Sequence, residues 1–192
     1  YLFDLDGTLV DTAPDLGQAL NASLRNAGFP GVTTDQARQW IGFGARYSLI
    51  QAIEHHQLVL TTSATDELLE EFLNFYAEHV ADASTPYDSV IDTLDALRDA
   101  GAKLAVVTNK PARFTLPLLS ALSLDGYFES VISGDTAAQP KPAADPILLC
   151  VKDLNMGIDQ ALMVGDSSAD VGAAKAAGVD VACFRHGYNH GM

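Results

Sequence analysis

Residues 1–8 read Tyr1-Leu2-Phe3-Asp4-Leu5-Asp6-Gly7-Thr8, an apolar start that turns acidic within three residues. In an extended segment residues i and i+2 point the same way, so Asp4 and Asp6 can address one site. Gly7 lets the backbone turn sharply with positive φ and present its amide to an anion. A plain Asp-Gly turn at a strand end would use the same letters. What decides between the two is the rest of the chain.

Working outward, four short apolar runs punctuate the second half: Lys103–Thr108, Ser130–Ser133, Ala161–Val164 and Val179–Phe184. Each is brief, partly β-branched and followed by polar or turn residues, as a buried parallel strand requires. Helical patterns lie between them. Val90, Ile91, Leu94 and Leu97 recur at helical spacing across Asp88–Ala100, and Gly101 supplies a stop. Pro111–Leu122, Ala144–Leu154 and Ala169–Ala177 read the same way, the last ending at Gly178. Alternating strands and helices of this length predict right-handed crossovers in an α/β, doubly wound parallel sheet.

From about Asp11 to Ser84 the pattern changes, and helices follow one another without a convincing strand. Pro14 suits a first helical turn, with Leu16, Leu20 and Leu24 on one face and Gly28 beyond. Further amphipathic stretches run from Arg46 to His55 and through Leu68, Leu69, Phe72, Leu73, Tyr76 and Val80. The expected organisation is an α/β core from residues 1–11 and 85–192, with a small all-helical cap, residues 12–84, inserted after the first strand.

Composition narrows the function. Eleven Lys and Arg stand against 25 Asp and Glu, a net charge of −14, which argues against a phosphate-tracking nucleic-acid binder. No apolar run approaches the ~20 residues of a membrane helix, so no membrane association is expected. Cys150 and Cys183 are too few for a disulfide scaffold, and a reducing cytoplasm is the expected setting. The chain opens at Tyr1 without an initiator Met, so further residues are expected in front of it.

A second acidic pair, Asp166 and Asp170 in Gly165-Asp166-Ser167-Ser168-Ala169-Asp170, again follows an apolar run. Ser168 in the same stretch could cap the helix that follows. Four carboxylates converging on one crevice repel unless a cation sits among them. A hard divalent ion with oxygen ligands is the natural partner, and Mg²⁺ also accepts waters and substrate phosphate. Thr108-Asn109, at the end of a predicted strand, offers a hydroxyl and an amide to a phosphate oxygen. Lys141 lies between Pro140 and Pro142, which limit where its ammonium can go.

These motifs, Asp4-Leu5-Asp6-Gly7-Thr8, Thr108-Asn109, Lys141 and Gly165-Asp166-x-x-x-Asp170, occur in the order found in the haloacid dehalogenase superfamily of phosphohydrolases, which the chain resembles over essentially its whole length. The resemblance implies a Rossmann-like core and, from the insert after the first motif, the subclass with a helical cap there. Thr12-Ala13-Pro14-Asp15-Leu16, Gly42-Phe43-Gly44-Ala45, Gly134-Asp135-Thr136 and Gly187-Tyr188-Asn189-His190-Gly191 are similar to the bacterial phosphoglycolate phosphatases within that superfamily.

Carried over residue by residue, the resemblance implies Asp4 as nucleophile, Asp6 as general acid and base, and Mg²⁺ on Asp4, the Asp6 carbonyl and Asp166. Asp170 would be a further ligand or an orienting group. Gly7, Thr108, Asn109 and Lys141 would bind the phosphoryl oxygens. The expected substrate is a small phosphorylated metabolite, with 2-phosphoglycolate first. Alternatives are a sugar phosphate such as N-acetylmuramate 6-phosphate, a phosphomutase, or a non-enzymatic interaction module. The predicted cap holds Arg25, Arg38 and Arg46 and no lysine, which argues against a phosphonate-cleaving relative, and Asp6 argues against a true dehalogenase. Arg46 is a candidate partner for a substrate carboxylate, and His190 a candidate base on the substrate side.

Overall fold

The strand β1 is only Leu2–Phe3, yet it has a neighbour on each side. The computed structural model describes residues 1–189. In it the chain divides into two compact units, one of Tyr1–Asp11 with everything described from Thr85 onward, the other of Thr12–Ser84.

The first unit contains β1, then β2 (Val10–Asp11), β3 (Thr85–Pro86), β4 (Ala105–Val107), β5 (Ser130–Ile132), β6 (Leu162–Gly165) and β7 (Asp180–Cys183). Five of these form one parallel sheet in the order β5-β4-β1-β6-β7. Leu2 and Phe3 pair with Ala105 and Val106 on one side and with Met163 and Val164 on the other. The chain thus builds outward from β1 in one direction, then crosses back and builds in the other. Such a sheet has a reversal of strand order beside its first strand, where a crevice opens at the strands' carboxyl ends.

Alternation along the strands sends successive side chains to opposite faces. Leu2, Ala105, Val107, Ile132 and Met163 form one buried cluster with Ile147, Cys150, Val151 and Leu154, and with Ala173, Ala174 and Ala177. The last two groups belong to helices that follow β5 and β6 respectively. The alanines are small enough to let their helix lie close on the sheet, and each large apolar side chain buried this way contributes about 1.5–3 kcal/mol.

The second unit is helical: α1 (Ala13–Asn26), α2 (Thr34–Arg38), α3 (Ala45–His55) and α4 (Thr62–Glu78). Pro14 occupies the first turn of α1, where its missing N–H is no loss. Thr33 and Gln36 cap the short α2 reciprocally, and the Thr61 hydroxyl caps α4. Asp15, almost fully buried in α1, ties the unit's two ends together. Its carboxylate accepts from the Ala83 N–H at 2.9 Å, the Ser84 N–H at 2.7 Å and the Ser84 hydroxyl at 2.6 Å.

The remaining helices, all in the first unit, are α5 (Val90–Asp99), α6 (Ala112–Ala121), α7 (Asp145–Asp153) and α8 (Ser168–Ala177). The expected strand and helix segments of this unit coincide with its elements to within two residues at each end. In the helical unit the short α2 was not among the expected helices and α4 begins six residues before the first apolar position read for it, and two further features were not expected. The β2–β3 pair is antiparallel, with Val10 opposite Pro86 and Asp11 opposite Thr85, and two residues a side are too few for a visible alternation. The cap of α8 is Ser167 rather than Ser168, because Ser167 has the extended backbone an N-cap needs. No helix among the described residues is long and apolar enough to cross a membrane.

Two predictions follow from the packing. Asp15→Ala strands the buried N–H and hydroxyl of Ser84 and the partly buried N–H of Ala83 and should cost about 3 kcal/mol in denaturant unfolding. Burial pushes the Cys150 thiol up to about 11, so it should resist iodoacetamide at pH 8 in the native protein while exposed Cys183 reacts, as intact-mass spectrometry would record.

Candidate active site

The acidic motif leaves β1 and turns at once. The Leu5 carbonyl accepts from the N–H groups of Leu9 and Val10, both at 3.0 Å, and Gly7 donates its N–H to the Val10 carbonyl at 2.9 Å. Gly7 has φ +86°, and a Cβ there would run into Asp166 Oδ2 and come within 2.9 Å of the Tyr188 ring. Both the turn and the crowding demand glycine. The tight loop fixes Asp4 and Asp6 just past the strand's end.

Three adjacent strands bring the other groups alongside. Asp4 follows β1, Thr108 follows β4 and Asp166 follows β6, all at carboxyl ends. Asp4, Asp166 and Asp170 are buried and offer carboxylate oxygens that lie within 4.8 Å of one another. Lys141 Nζ sits between two of them, 3.0 Å from Asp4 Oδ1 and 2.6 Å from Asp170 Oδ1. Its third hydrogen goes to the Val107 carbonyl at 2.7 Å, so the ammonium is fully subscribed.

Helix α8 explains where Asp170 comes from. The Ser167 side chain accepts from the Asp170 N–H, while Asp170 Oδ2 takes the Ser167 N–H at 3.0 Å and the Ser167 hydroxyl at 2.6 Å. The reciprocal cap places a carboxylate at the positive end of the helix. Burial works against its ionisation, but the Lys141 charge and the bonds from Lys141 and Ser167 prevail and hold Asp170 below the usual carboxylate range.

Asp4 has the opposite balance. Burial, reinforced by the Asp170 charge and only partly offset by Lys141, pushes its carboxyl up to about 8. Asp166 is also raised, by burial that outweighs the bonds from the Thr8 hydroxyl and the Tyr188 N–H. For Lys141, burial pulls the ammonium down, and Asp4 and Asp170 more than compensate. One ammonium cannot balance three carboxylates, and the shortfall falls on Asp4 and Asp166.

An oxygen-only donor set that lacks positive charge is what a hard divalent cation fits, and Mg²⁺ suits it on those grounds. Asp4 and Asp166 are the carboxylates best placed to hold it. Asp170 already has its oxygens given to Lys141 and Ser167. The Asp6 side chain stands apart from the three, bound to Lys110 Nζ at 3.0 and 3.1 Å, which leaves its carbonyl as the group it would offer a cation.

Asn109 has a task beyond the one expected. Its side chain accepts from the Lys141 N–H at 2.8 Å and donates to the Lys141 carbonyl at 2.9 Å, so it clamps the lysine loop. The Thr108 hydroxyl accepts from the Lys110 N–H at 3.2 Å. Arg46 belongs to the helical unit, where its guanidinium binds Asp66, both half exposed, so it already has a carboxylate partner. His190 lies outside the described residues.

Some residues were not singled out beforehand. Lys110 is one, though it directly follows Thr108-Asn109. Thr8 donates to Asp166 Oδ1 at 2.6 Å. Tyr188, in a tail with no mechanism legible in the sequence, donates its N–H to Asp166 Oδ2 at 2.6 Å and its hydroxyl to Asp11 at 2.8 Å. A Cβ on Gly187 would strike the Gly7 carbonyl and Asp166, which accounts for that glycine.

The model of the haloacid dehalogenase-like hydrolase family matches residues 1–184. The chain belongs to that family. It is 43% identical over 194 residues to phosphoglycolate phosphatase 1 of Pseudomonas aeruginosa, an alignment covering 99% of this chain and 70% of the relative. The phosphoglycolate phosphatase of Colwellia psychrerythraea is 40% identical over 193 residues, covering 99% and 85% respectively. Among solved structures, a predicted phosphoglycolate phosphatase from Haemophilus somnus superimposes with a TM-score of 0.93 at 33% identity, over 100% of this chain and 87% of the other. The Rossmann-like core of this hydrolase family is therefore the frame in which the acidic cluster sits.

Millimolar Mg²⁺ should raise the melting temperature, and Asp166→Asn should remove the rise. Because the Asp4 pKa is elevated in the fold, its ionisation destabilises the metal-free protein as pH climbs toward 8, and a cation must displace that proton. The rise should therefore be larger at pH 8 than at pH 6 in calorimetric scans at matched ionic strength.

Proposed function

We propose that this chain is a Mg²⁺-dependent phosphomonoesterase that works through an aspartyl phosphate on Asp4, with 2-phosphoglycolate as its first-choice substrate. The observation that carries the reading is the Lys141 ammonium held between Asp4 and Asp170 beside Asp166. Phosphoglycolate phosphatase relatives at about 40% identity support phosphatase chemistry and favour this substrate.

Phosphate monoester hydrolysis is among the slowest uncatalysed reactions, so positioning and charge must supply most of the acceleration. An anionic carboxylate does not approach a phosphate dianion unaided. Mg²⁺, held by Asp4, Asp166 and the Asp6 carbonyl, supplies positive charge that screens this repulsion. Lys141 adds a fixed ammonium next to the nucleophile, and Thr108 and the Gly7 turn lie at the same strand ends to take the phosphoryl oxygens.

In the first step an Asp4 carboxylate oxygen attacks phosphorus and the bond from phosphorus to the ester oxygen breaks. That oxygen keeps the bonding pair and receives the Asp6 proton, leaving as an alcohol. In the second step Asp6, now a carboxylate, takes a proton from water as the water oxygen attacks phosphorus. The bond from phosphorus to Asp4 breaks, inorganic phosphate leaves, and both carboxyl groups return to their starting states.

Purified protein with Mg²⁺ should release phosphate from 2-phosphoglycolate with higher kcat/KM than from sugar phosphates. Asp4→Asn should lower kcat by at least about 10³-fold while leaving the fold intact by circular dichroism. A panel on which a sugar phosphate is the better substrate would change the substrate assignment, and no release from any ester would end the reading.

A further inference from the structure

Two buried ammonium groups serve the acidic site, and the mechanism above uses only one. Lys110 Nζ faces both oxygens of Asp6, at 3.0 and 3.1 Å. The Lys110 side chain is 4% exposed and that of Asp6 17%. Such a pair differs from a surface ion pair, in which two long side chains must be ordered out of free rotation for little gain.

The lysine is also held by its own backbone. Its N–H donates to the Thr108 hydroxyl, and its carbonyl accepts from the Gly134 N–H at 2.9 Å and the Thr115 hydroxyl at 3.0 Å. Gly134 is what lets this happen, because a Cβ there would overlap the Asn109 carbonyl. Pro111 fixes the backbone immediately after. The stem of Lys110 therefore leaves from a rigid point, and its head meets one carboxylate squarely.

Asp6 needs such a partner. It lies two residues from Asp4, and its neighbour Gly7 abuts Asp166, so without Lys110 its side chain has no fixed direction away from that cluster. Held by nothing, Asp6 would rotate among orientations, and a proton donor works only within hydrogen-bond reach of its acceptor. We infer that Lys110 is the positioning residue for Asp6, keeping its carboxyl group apart from the Asp4–Asp166–Asp170 cluster and in one orientation for proton delivery. This rests on reading Asp6 as the proton donor. The proton passes from the Asp6 carboxyl to the ester oxygen as the phosphorus–oxygen bond breaks, and Lys110 keeps its own three hydrogens throughout.

The test uses the leaving group. An alkoxide needs a proton to leave, whereas p-nitrophenolate does not. Lys110→Met keeps the unbranched stem, and in single-turnover measurements of the first step, before water attacks, it should slow alcohol release from 2-phosphoglycolate about 100-fold but the p-nitrophenolate burst less than about threefold. Lys110→Arg should regain at least about tenfold of that loss, and the Mg²⁺ midpoint for thermal stabilisation should stay within about twofold of the wild type. If Lys110→Met melts below the assay temperature, Lys110→Gln replaces it with the same expected split.

Equal loss in the first step on both esters, a loss carried in substrate affinity, or no recovery with arginine would each overturn the inference. Asp6→Asn separates this failure from that of the underlying reading. If Asp6→Asn shows the leaving-group split and Lys110→Met does not, the role of Lys110 falls alone. If Asp6→Asn shows no split, the proton-donor reading falls and takes the inference with it.

Discussion

One buried ammonium between two carboxylates constrains much of this structure. Lys141 Nζ touches Asp4, Asp170 and the Val107 carbonyl, all inside the protein. Removing one member of a buried charged set leaves the others uncompensated, at a cost of about 3–5 kcal/mol. The surroundings are accordingly arranged to hold it: Asn109 clamps the lysine backbone, and Ser167 fixes Asp170 through the helix cap. Even so the charge does not balance. Asp4 and Asp166 stay above their usual range, a standing deficit of positive charge in a site built only of oxygens.

The sheet makes this arrangement possible with very little strand. Two residues of β1, three of β4 and four of β6 suffice, because each is followed directly by a functional group at the carboxyl end. Parallel pairing aligns those ends, so residues more than a hundred positions apart meet at a fixed height. The glycines mark where backbone and side chain come too close for a Cβ, as Gly7 does against Asp166 and Gly187 against Gly7.

The net charge of −14 sits uneasily with an anionic substrate until the lysines are located. Only five occur in the chain, and two of them, Lys110 and Lys141, are buried against the acidic motif. The division of labour between them is spatial. Lys141 lies against Asp4, and Lys110 against Asp6 two residues on. Tyr188 adds a neutral tie, joining Asp166 to Asp11 at the end of β2 through its N–H and hydroxyl.

The α/β alternation, the helical stretch between residues 12 and 84, and the acidic pairs were legible in the sequence, because hydrophobic period and turn residues are local signals. So were Asp4, Asp6, Thr108, Lys141, Asp166 and Asp170 as members of one set, carried by motif order. The sequence could not say which partner each would take. Asn109 carries an amide that suits phosphate equally well, and only the approach of the residue 141 loop turns it into a clamp. Lys110 looked like an ordinary lysine until folding set it against Asp6, and the Tyr188 tail had no meaning without Asp166 beside it. Periodicity along a chain determines elements, whereas hydrogen bonds between residues on separate elements, 22, 32 and 104 positions apart in these cases, are decided by the packing of the sheet and its loops.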